Sequence, residues 1–456
     1  MNKENKMGVM PVKQLIISMS LPMMISMLVQ ALYNVVDSIF VSQIVGETAT
    51  AGQDALTAVT LAFPMQNLMI ALGSGTGVGI NALLSRSLGE KNYKKSDLAA
   101  NNGILLTFFN YLLFLLIGIF FVEGFIHSQT NSDVIASFGV TYLRIINCCS
   151  IALFFQMTFE RLLQSTGKTI YSMISQGTGA IINIIFDPLL IFGIGPFPAL
   201  GIAGAAYATI LGQMIGSCIG LFCNLKFNKE ISFSIKKILH LDLNTVKDIY
   251  FVGVPSILMM SIGSVMTYLM NRILGIFSST ATAVFGVYFK LQSFFFMPVF
   301  GLNNGLIPVL AYNYGARNKQ RISEALKFAL TLAVSIMVVG TFVFLSVPEL
   351  LLNLFNASED MIQIGVPALR IICLSFPLAG ICIAMGSIFQ AFARSFYSLI
   401  VSVGRQLVVL IPVAWLLSQT GILDLVWLAF PIAELASLAL STIFFRKLYK
   451  QTVSTL

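Results

Sequence analysis

Twelve apolar runs, each long enough to cross a bilayer, follow one another along this chain, and they leave almost nothing from which a water-facing domain could be built. A helix that crosses the ~30 Å hydrocarbon core needs about 20 apolar residues. In round limits the runs are 14 to 41, 55 to 85, 98 to 122, 136 to 158, 169 to 193, 199 to 225, 249 to 271, 280 to 310, 324 to 347, 361 to 385, 395 to 417 and 423 to 445. Hydrophobic residues make up 57% of the 456 and charged ones only 10%, against about 25% charged in a soluble domain. The expected fold class is an all-α membrane protein with twelve transmembrane helices, and the expected surroundings are a lipid bilayer.

The net charge of +8, from 27 Lys+Arg against 19 Asp+Glu, forms no basic stripe interleaved with aromatics, so no nucleic-acid partner is expected. It reports topology instead. Lys3, Lys6 and Lys13, then Arg86, Lys91, Lys94 and Lys95, then Arg161 and Lys168, all lie on one set of alternate segments. The same set takes the cations from Lys226 to Lys247, those from Arg317 to Lys327, Arg394, and the group Arg446, Lys447 and Lys450. The opposite set holds Arg272, beside acids such as Glu47, Glu123, Glu349, Glu359 and Asp424. The positive-inside rule then places both termini in the cytoplasm. Six cysteines without a CxxC pair, and only His127 and His240 for histidines, exclude disulfide, zinc and haem frameworks. The lysines before Gln14 lead into an apolar run with no AxA-like cleavage site, which reads as a first span and not a signal peptide.

The chain also repeats itself once, at a spacing close to half its length. Gly79 to Gly89 recurs as Gly305 to Gly315, Gln66 as Gln292, and Asn92 as Asn318. Leu143-Arg144-Ile145-Ile146 recurs as Leu369-Arg370-Ile371-Ile372, Gln164 as Gln390, and Tyr171-Ser172 as Tyr397-Ser398. Six spans separate the copies, so both halves enter from the same side, as parallel repeats do. The predicted organisation is two pseudo-symmetric six-helix bundles, an amino-terminal lobe over 1–225 and a carboxy-terminal lobe over 248–456, joined by a cytoplasmic linker over 226–247. That plan is a transporter's. The linker is the longest polar stretch and reads as a partly amphipathic, solvated connector.

A few side chains do not belong in hydrocarbon. Gln30, Asn34 and Asp37 share a helical face by their spacing, and Asp187 follows Asn183 by one turn, with Pro188 next to it. At 1.5 Å per residue, Asp37 and Asp187 lie ~6 and ~9 Å from the outer ends of their helices, and Thr209 ~12 Å down the next one. These groups can meet. A carboxylate in hydrocarbon costs several kcal/mol unless it faces a cavity, finds partners or takes up a proton. Two of them close together titrate as a coupled pair. With Asn183 and Thr209 the same oxygens would also make a shell for Na⁺, and Pro188 frees the Ile184 carbonyl. The competing reading is that Asp37 and Asp187 only staple helix ends near the interface. On the first reading the coupling ion would be H⁺ or Na⁺, with no other cofactor.

Lys290 and Glu434 stand near midplane in their spans and are expected to pair across the second bundle, in a structural or a substrate-binding role. Arg144 and Arg370 are expected to snorkel or bond helix carbonyls. The run from Leu72 to Gly79 looks like a nucleotide loop, but no strand precedes it and no GxxxxGK[ST] follows, so its glycines read as close helix packing. Phe285, Phe289, Phe294, Phe295, Phe296 and Phe300, with 20 Met across the chain, would either pack or line a pliable apolar pocket. Gln30, Asn34, Phe289, Gln292, Lys290 and Glu434 are the candidates for such a pocket.

With these motifs in place, the chain resembles the multidrug and toxic compound extrusion transporters over nearly its whole length. The residues that carry the resemblance begin with Asp37-Ser38-Ile39-Phe40-Val41, Ala55-Leu56-Thr57-Ala58-Val59 and Ser85-Arg86-Ser87-Leu88-Gly89. Leu163-Gln164-Ser165-Thr166-Gly167-Lys168, Asn183 to Leu190, Gly201 to Ala206 and Tyr312-Asn313-Tyr314-Gly315-Ala316 continue it. Gln292-Ser293-Phe294 and the run from Trp427 to Glu434 are most similar to the bacterial branch that includes Gram-positive multidrug pumps. The resemblance implies a multi-pass protein of the bacterial plasma membrane, taken as a monomer. It implies two lobes that open a central cleft to each side in turn and export amphipathic, cationic compounds in exchange for H⁺ or Na⁺. It puts the cation site on Asp37, Asn183, Asp187 and Thr209. Some members use an acid on span 7 or span 10, and this chain has none there, which shifts the expectation to the amino lobe.

Three rival readings stay open. A flippase for a lipid-linked oligosaccharide would want a strongly cationic cleft, and few candidates exist. A membrane-embedded transferase would want His, Asp or Ser clustered at one interface, and the expectation is that the chain is not an enzyme. A passive channel fits poorly with two repeated bundles.

Overall fold

The structure is a computed structural model and describes residues 4–456; Lys3, counted above among the cytoplasmic cations, lies outside them. The amino half comprises α1 (Lys6–Val9), α2 (Val12–Ser42), α3 (Ala51–Gly89), α4 (Tyr93–Phe120), α5 (Val122–His127), α6 (Asp133–Cys148), α7 (Ile151–Ser165), α8 (Thr169–Phe192), α9 (Ile202–Phe227) and the short α10 (Ile235–Leu239). The carboxy half continues with α11 (Leu243–Gly275), α12 (Ser279–Gly315), α13 (Lys319–Ser346), α14 (Pro348–Asn353), α15 (Glu359–Ile372), α16 (Phe376–Ala391), α17 (Ser395–Val403), α18 (Ile411–Ser418), α19 (Leu423–Trp427) and α20 (Ala429–Leu448). No strand occurs among the described residues. Among the described residues eleven segments are long and apolar enough to cross a membrane, and α6 with α7, bent by 47°, makes a twelfth if the pair is taken as one span. In a bilayer every backbone polar group must be satisfied within the segment, and helices do this. Large apolar side chains such as Ile181, Phe222, Phe251 and Phe342 are exposed.

The repeat seen in the sequence recurs in the elements. Helices α4 and α13 are each 28 residues long, and α5 and α14 six each. Asn92 and Asn318 cap α4 and α13 through side chains that accept from Lys95 N and Arg321 N. Ser132 and Ser358 do the same for α6 and α15. An Asn or Ser side chain at that position satisfies one of the orphan amides of a first turn. Just before each asparagine cap, Lys91 and Arg317 take left-handed φ values of 56° and 54°. The bend between α6 and α7 has its counterpart in the 3₁₀ turn Cys373–Ser375 between α15 and α16.

Contacts divide the chain into two compact units. One contains Met1–Met24, Ser85–Lys91 and Val254–Leu456, and the other Ile25–Leu84 and Asn92–Gly253. The start of α2 thus packs with carboxy-half helices, and the start of α11 with amino-half helices. Glycines make both exchanges possible. A Cβ on Gly305 would stand 2.7 Å from Ser20 Cα, and one on Gly301 2.5 Å from Met24 Cα. In the other unit a Cβ on Gly79, the repeat partner of Gly305, would stand 2.1 Å from the Ile249 carbonyl oxygen. Gly75 similarly faces Gly253, while Gly73 and Gly77 make room for Met157 and Arg161. The glycine run is therefore a helix-packing surface.

Candidate functional site

The pair of intramembrane carboxyls assembles within one unit. Asp37 on α2 and Asp187 on α8 approach closely enough for their carboxyls to interact directly; Asp187 is fully buried and Asp37 partly so. Each keeps a buried Oδ1 without a hydrogen-bond partner. Two ionised carboxylates in contact repel strongly where water is scarce, so the pair is suited to take up one positive charge, either a proton or a metal ion.

Asn183 stands between Asp187 and Thr209. In one orientation its Nδ2 donates to Thr209 Oγ1 at 3.1 Å. Turned over, Nδ2 donates to Asp187 Oδ2 at 3.3 Å and the amide oxygen accepts from Thr209 N at 3.1 Å. An ionised Asp187 selects the second orientation, because a carboxylate needs a donor. A proton or metal ion on Asp187 selects the first, because the amide oxygen then faces positive charge. Close helix approach sets this up: a Cβ on Gly212 of α9 would stand 2.5 Å from the Gly179 carbonyl of α8 and 3.2 Å from Asn183 Cβ. Below the carboxyls, Gln30 Oε1 accepts from Gln176 Nε2 at 3.0 Å. Asn34 is exposed.

Several groups at this site had no distinguishing signal in the sequence. Tyr33, one turn before Asp37, and Tyr142 of α6 lie within electrostatic reach of both carboxyls. Gln66 Nε2 donates to Tyr142 Oη at 3.2 Å. A second polar cluster lies buried in α7. Glu160 Oε1 accepts from Gln156 Nε2 at 3.1 Å, and Arg161 donates to Gln164 Oε1 at 3.1 Å and to Ser74 Oγ at 3.3 Å. Arg161 is therefore not a loop cation, as its place among the cytoplasmic charges implied. It is a buried helix residue whose stem passes over Gly77.

In the other unit the expected pairing of Lys290 with Glu434 does not form. Glu434 accepts from Arg405 NH1 at 3.0 Å, while Lys290 is exposed and lies 6.0 Å from the centre of the Phe355 ring. Arg405 is the second residue of a π-helical stretch, Gly404–Leu410, whose wider turn shifts its phase relative to an α-helix. Phe289 packs edge-on against Phe285 at 4.7 Å, in an aromatic core that also holds Tyr288, Phe376 and Trp427. Gln292, one turn on, is half-buried. Arg144 reaches Glu123 at 3.4 Å instead of helix carbonyls, and Arg370 is exposed. Replacing Arg405 by Leu strands a buried carboxylate and should cost about 3–5 kcal/mol, whereas Arg405→Leu with Glu434→Leu should be close to neutral. Thermal unfolding of the two variants in detergent checks this.

Comparison with known proteins gives three kinds of match. The MatE family model matches residues 22–189 and 255–416. A FAD transporter of Shewanella oneidensis is 27% identical over 93% of this chain and 92% of its own length. The multidrug export protein MepA of Staphylococcus haemolyticus is 26% identical over 90% of this chain and 88% of its own. Among solved structures, a multidrug resistance MATE family transporter of the MOP superfamily, in an outward-facing conformation, aligns with a TM-score of 0.91. It is 24% identical over 100% of this chain and 99% of that one, which shows a shared fold.

Proposed function

Since the chain belongs to the MatE family, and is a multi-pass membrane transport protein and not an enzyme, we propose that it is a secondary antiporter that exports amphipathic, cationic compounds in exchange for H⁺ or Na⁺. The observation that carries this reading is the close approach of Asp37 and Asp187, each with a buried Oδ1 that has no partner, with Asn183 standing between Asp187 and Thr209. One cation there and one substrate bias the same conformational equilibrium in opposite directions, so each displaces the other. The lobes over 1–225 and 248–456 alternate access to the two faces of a bacterial plasma membrane. Both termini lie in the cytoplasm, with the cations of the inner loops holding that orientation, and the monomer is the working unit.

A second reading rests on the FAD transporter among the relatives: the substrate is an anionic dinucleotide, and Lys290 then becomes a candidate for holding it. Proteoliposomes distinguish the two. Under an imposed pH gradient, then an imposed Na⁺ gradient, a fluorescent lipophilic cation should leave the vesicles faster than under no gradient, and the gradient that works identifies the ion. Movement of FAD but not of the dye would favour the second reading. Movement of neither, in well-folded protein, would defeat both.

A further inference from the structure

The segment 226–247 is not a free connector. Helix α4 holds it through two buried asparagines and one aspartate. Asn101 Nδ2 donates to Ser232 O at 2.9 Å, Asn102 Oδ1 accepts from Asp242 N at 3.0 Å, and Asp97 accepts from Ser232 N at 2.9 Å and Lys237 Nζ at 2.8 Å. Asp242 in turn accepts from Thr245 N at 3.0 Å, and its carboxyl is held below the ordinary carboxylate range by the Thr245 hydroxyl and amide. A segment fastened at this many points presents a fixed surface.

That surface has two faces that water alone does not explain. Ile235 and Leu239, one turn apart on α10, are 78% and 70% exposed, and Leu243, at the start of α11, is 72% exposed. Between and beside them stand Lys236 and Lys237. The same segment walls a cavity of ≈ 360 Å³ lined by Lys94, Asp97, Leu98, Lys236, Lys237 and His240. Lys237 neutralises Asp97, whereas Lys94 and Lys236 make no ion pair among the described residues. The cavity therefore carries an uncompensated positive charge, next to aliphatic side chains that gain by leaving water.

We propose that this cavity seats the phosphate-bearing headgroup of an anionic phospholipid, with Ile235, Leu239 and Leu243 set into the boundary between headgroups and acyl chains. Apolar side chains flanked by lysines are what an interfacial element needs, and basic pockets between membrane helices suit anionic headgroups. A soluble anion would use the cations and leave the aliphatic groups in water. Bound lipid would also explain why a connector between two bundles is fastened to α4 instead of left loose.

The test uses the full chain in detergent micelles and measures its affinity for phosphatidylglycerol and for phosphatidylcholine of the same acyl chains. Phosphatidylglycerol should bind the more tightly, and Lys94→Gln with Lys236→Gln should remove that preference at about fivefold per lysine. Neither residue is in the core or in the Asp97 contacts, so both substitutions leave the segment anchored. Raising the salt should weaken phosphatidylglycerol binding to the unaltered protein and leave phosphatidylcholine unchanged. Ile235→Ser with Leu239→Ser should weaken phosphatidylglycerol binding as well. Equal affinity for the two lipids, or a preference unchanged by loss of the lysines, would overturn the proposal. So would displacement of the lipid by millimolar inorganic phosphate together with indifference to the serine substitutions, which would mark a site for a soluble anion.

Discussion

Asp187→Asn should abolish gradient-driven export while leaving the protein at least as stable as before. The side chain is fully buried, and its Oδ1 has no hydrogen-bond partner. Asparagine keeps the volume and shape, and it offers Asp37 an amide donor where the carboxyl offered one only when protonated. Removing one member of a pair of contacting carboxyls also removes their repulsion, so thermal unfolding should shift upward or not at all. What the variant loses is the second negative charge that makes the pair bind one cation. Coupling free energies between two sites run to about 1–3 kcal/mol, or 5–150-fold in affinity, and gradient-driven efflux should fall by a factor in about that range, to the rate seen without a gradient. Downhill leakage of substrate should persist. A variant that is inactive because it no longer folds is separated from this outcome by its unfolding temperature and by its elution as a single species in detergent.

Gly315→Ala is expected to destabilise the protein strongly. Gly89 and Gly315 close α3 and α12, are related by the repeat, and lie within one compact unit. A Cβ on Gly315 would stand 2.1 Å from the Arg86 carbonyl oxygen, and one on Gly89 1.9 Å from that of Tyr312. Both obstacles are backbone, so no side chain can rotate out of the way and the helices themselves must separate. Overpacking that a core can absorb costs about 1–3 kcal/mol. Here a loss of ~3 kcal/mol or more, or failure to accumulate folded protein, is expected. Gly177→Ala is the control, because nothing lies within 4 Å of the added carbon and alanine favours a helix over glycine by about 0.5–1 kcal/mol. Unfolding temperatures alike for the two substitutions would show that the crossing at Gly315 is looser than its geometry implies.

The spans and the repeat were legible because the bilayer writes them plainly: a run of about 20 apolar residues has few other uses, and cations gather on one side. Asp37, Asn183, Asp187 and Thr209 stood out because polar side chains at matching depth in hydrocarbon are conspicuous. Partners defined by helix rotation were not legible. Arg405 reaches Glu434 because a π-helical stretch shifts its phase, and Lys290, at a similar depth, points away. Arg161 was hidden by its position near the end of a span, where a buried cation and a loop cation look alike until the bend between α6 and α7 is known. Tyr142 reads as an ordinary packing residue, and only the fold of α6 against α3 brings it to Gln66 and the carboxyls. The lysines of 226–247 showed as charge alone, because whether a polar stretch is tied down depends on Asn101 and Asn102, far away in sequence.

The central claim is that one cation at Asp37 and Asp187 and one substrate molecule exclude each other. The most direct measurement is the affinity of the purified protein for a fluorescent lipophilic cation across a range of pH at fixed Na⁺, and of Na⁺ at fixed pH, for the unaltered chain and for Asp187→Asn. Reciprocal linkage predicts that raising the concentration of the coupling ion weakens substrate binding by roughly 5–150-fold in the unaltered protein, and that the dependence disappears in the variant. Substrate binding that ignores both ions in the unaltered protein, or that depends on them equally in Asp187→Asn, would contradict the account.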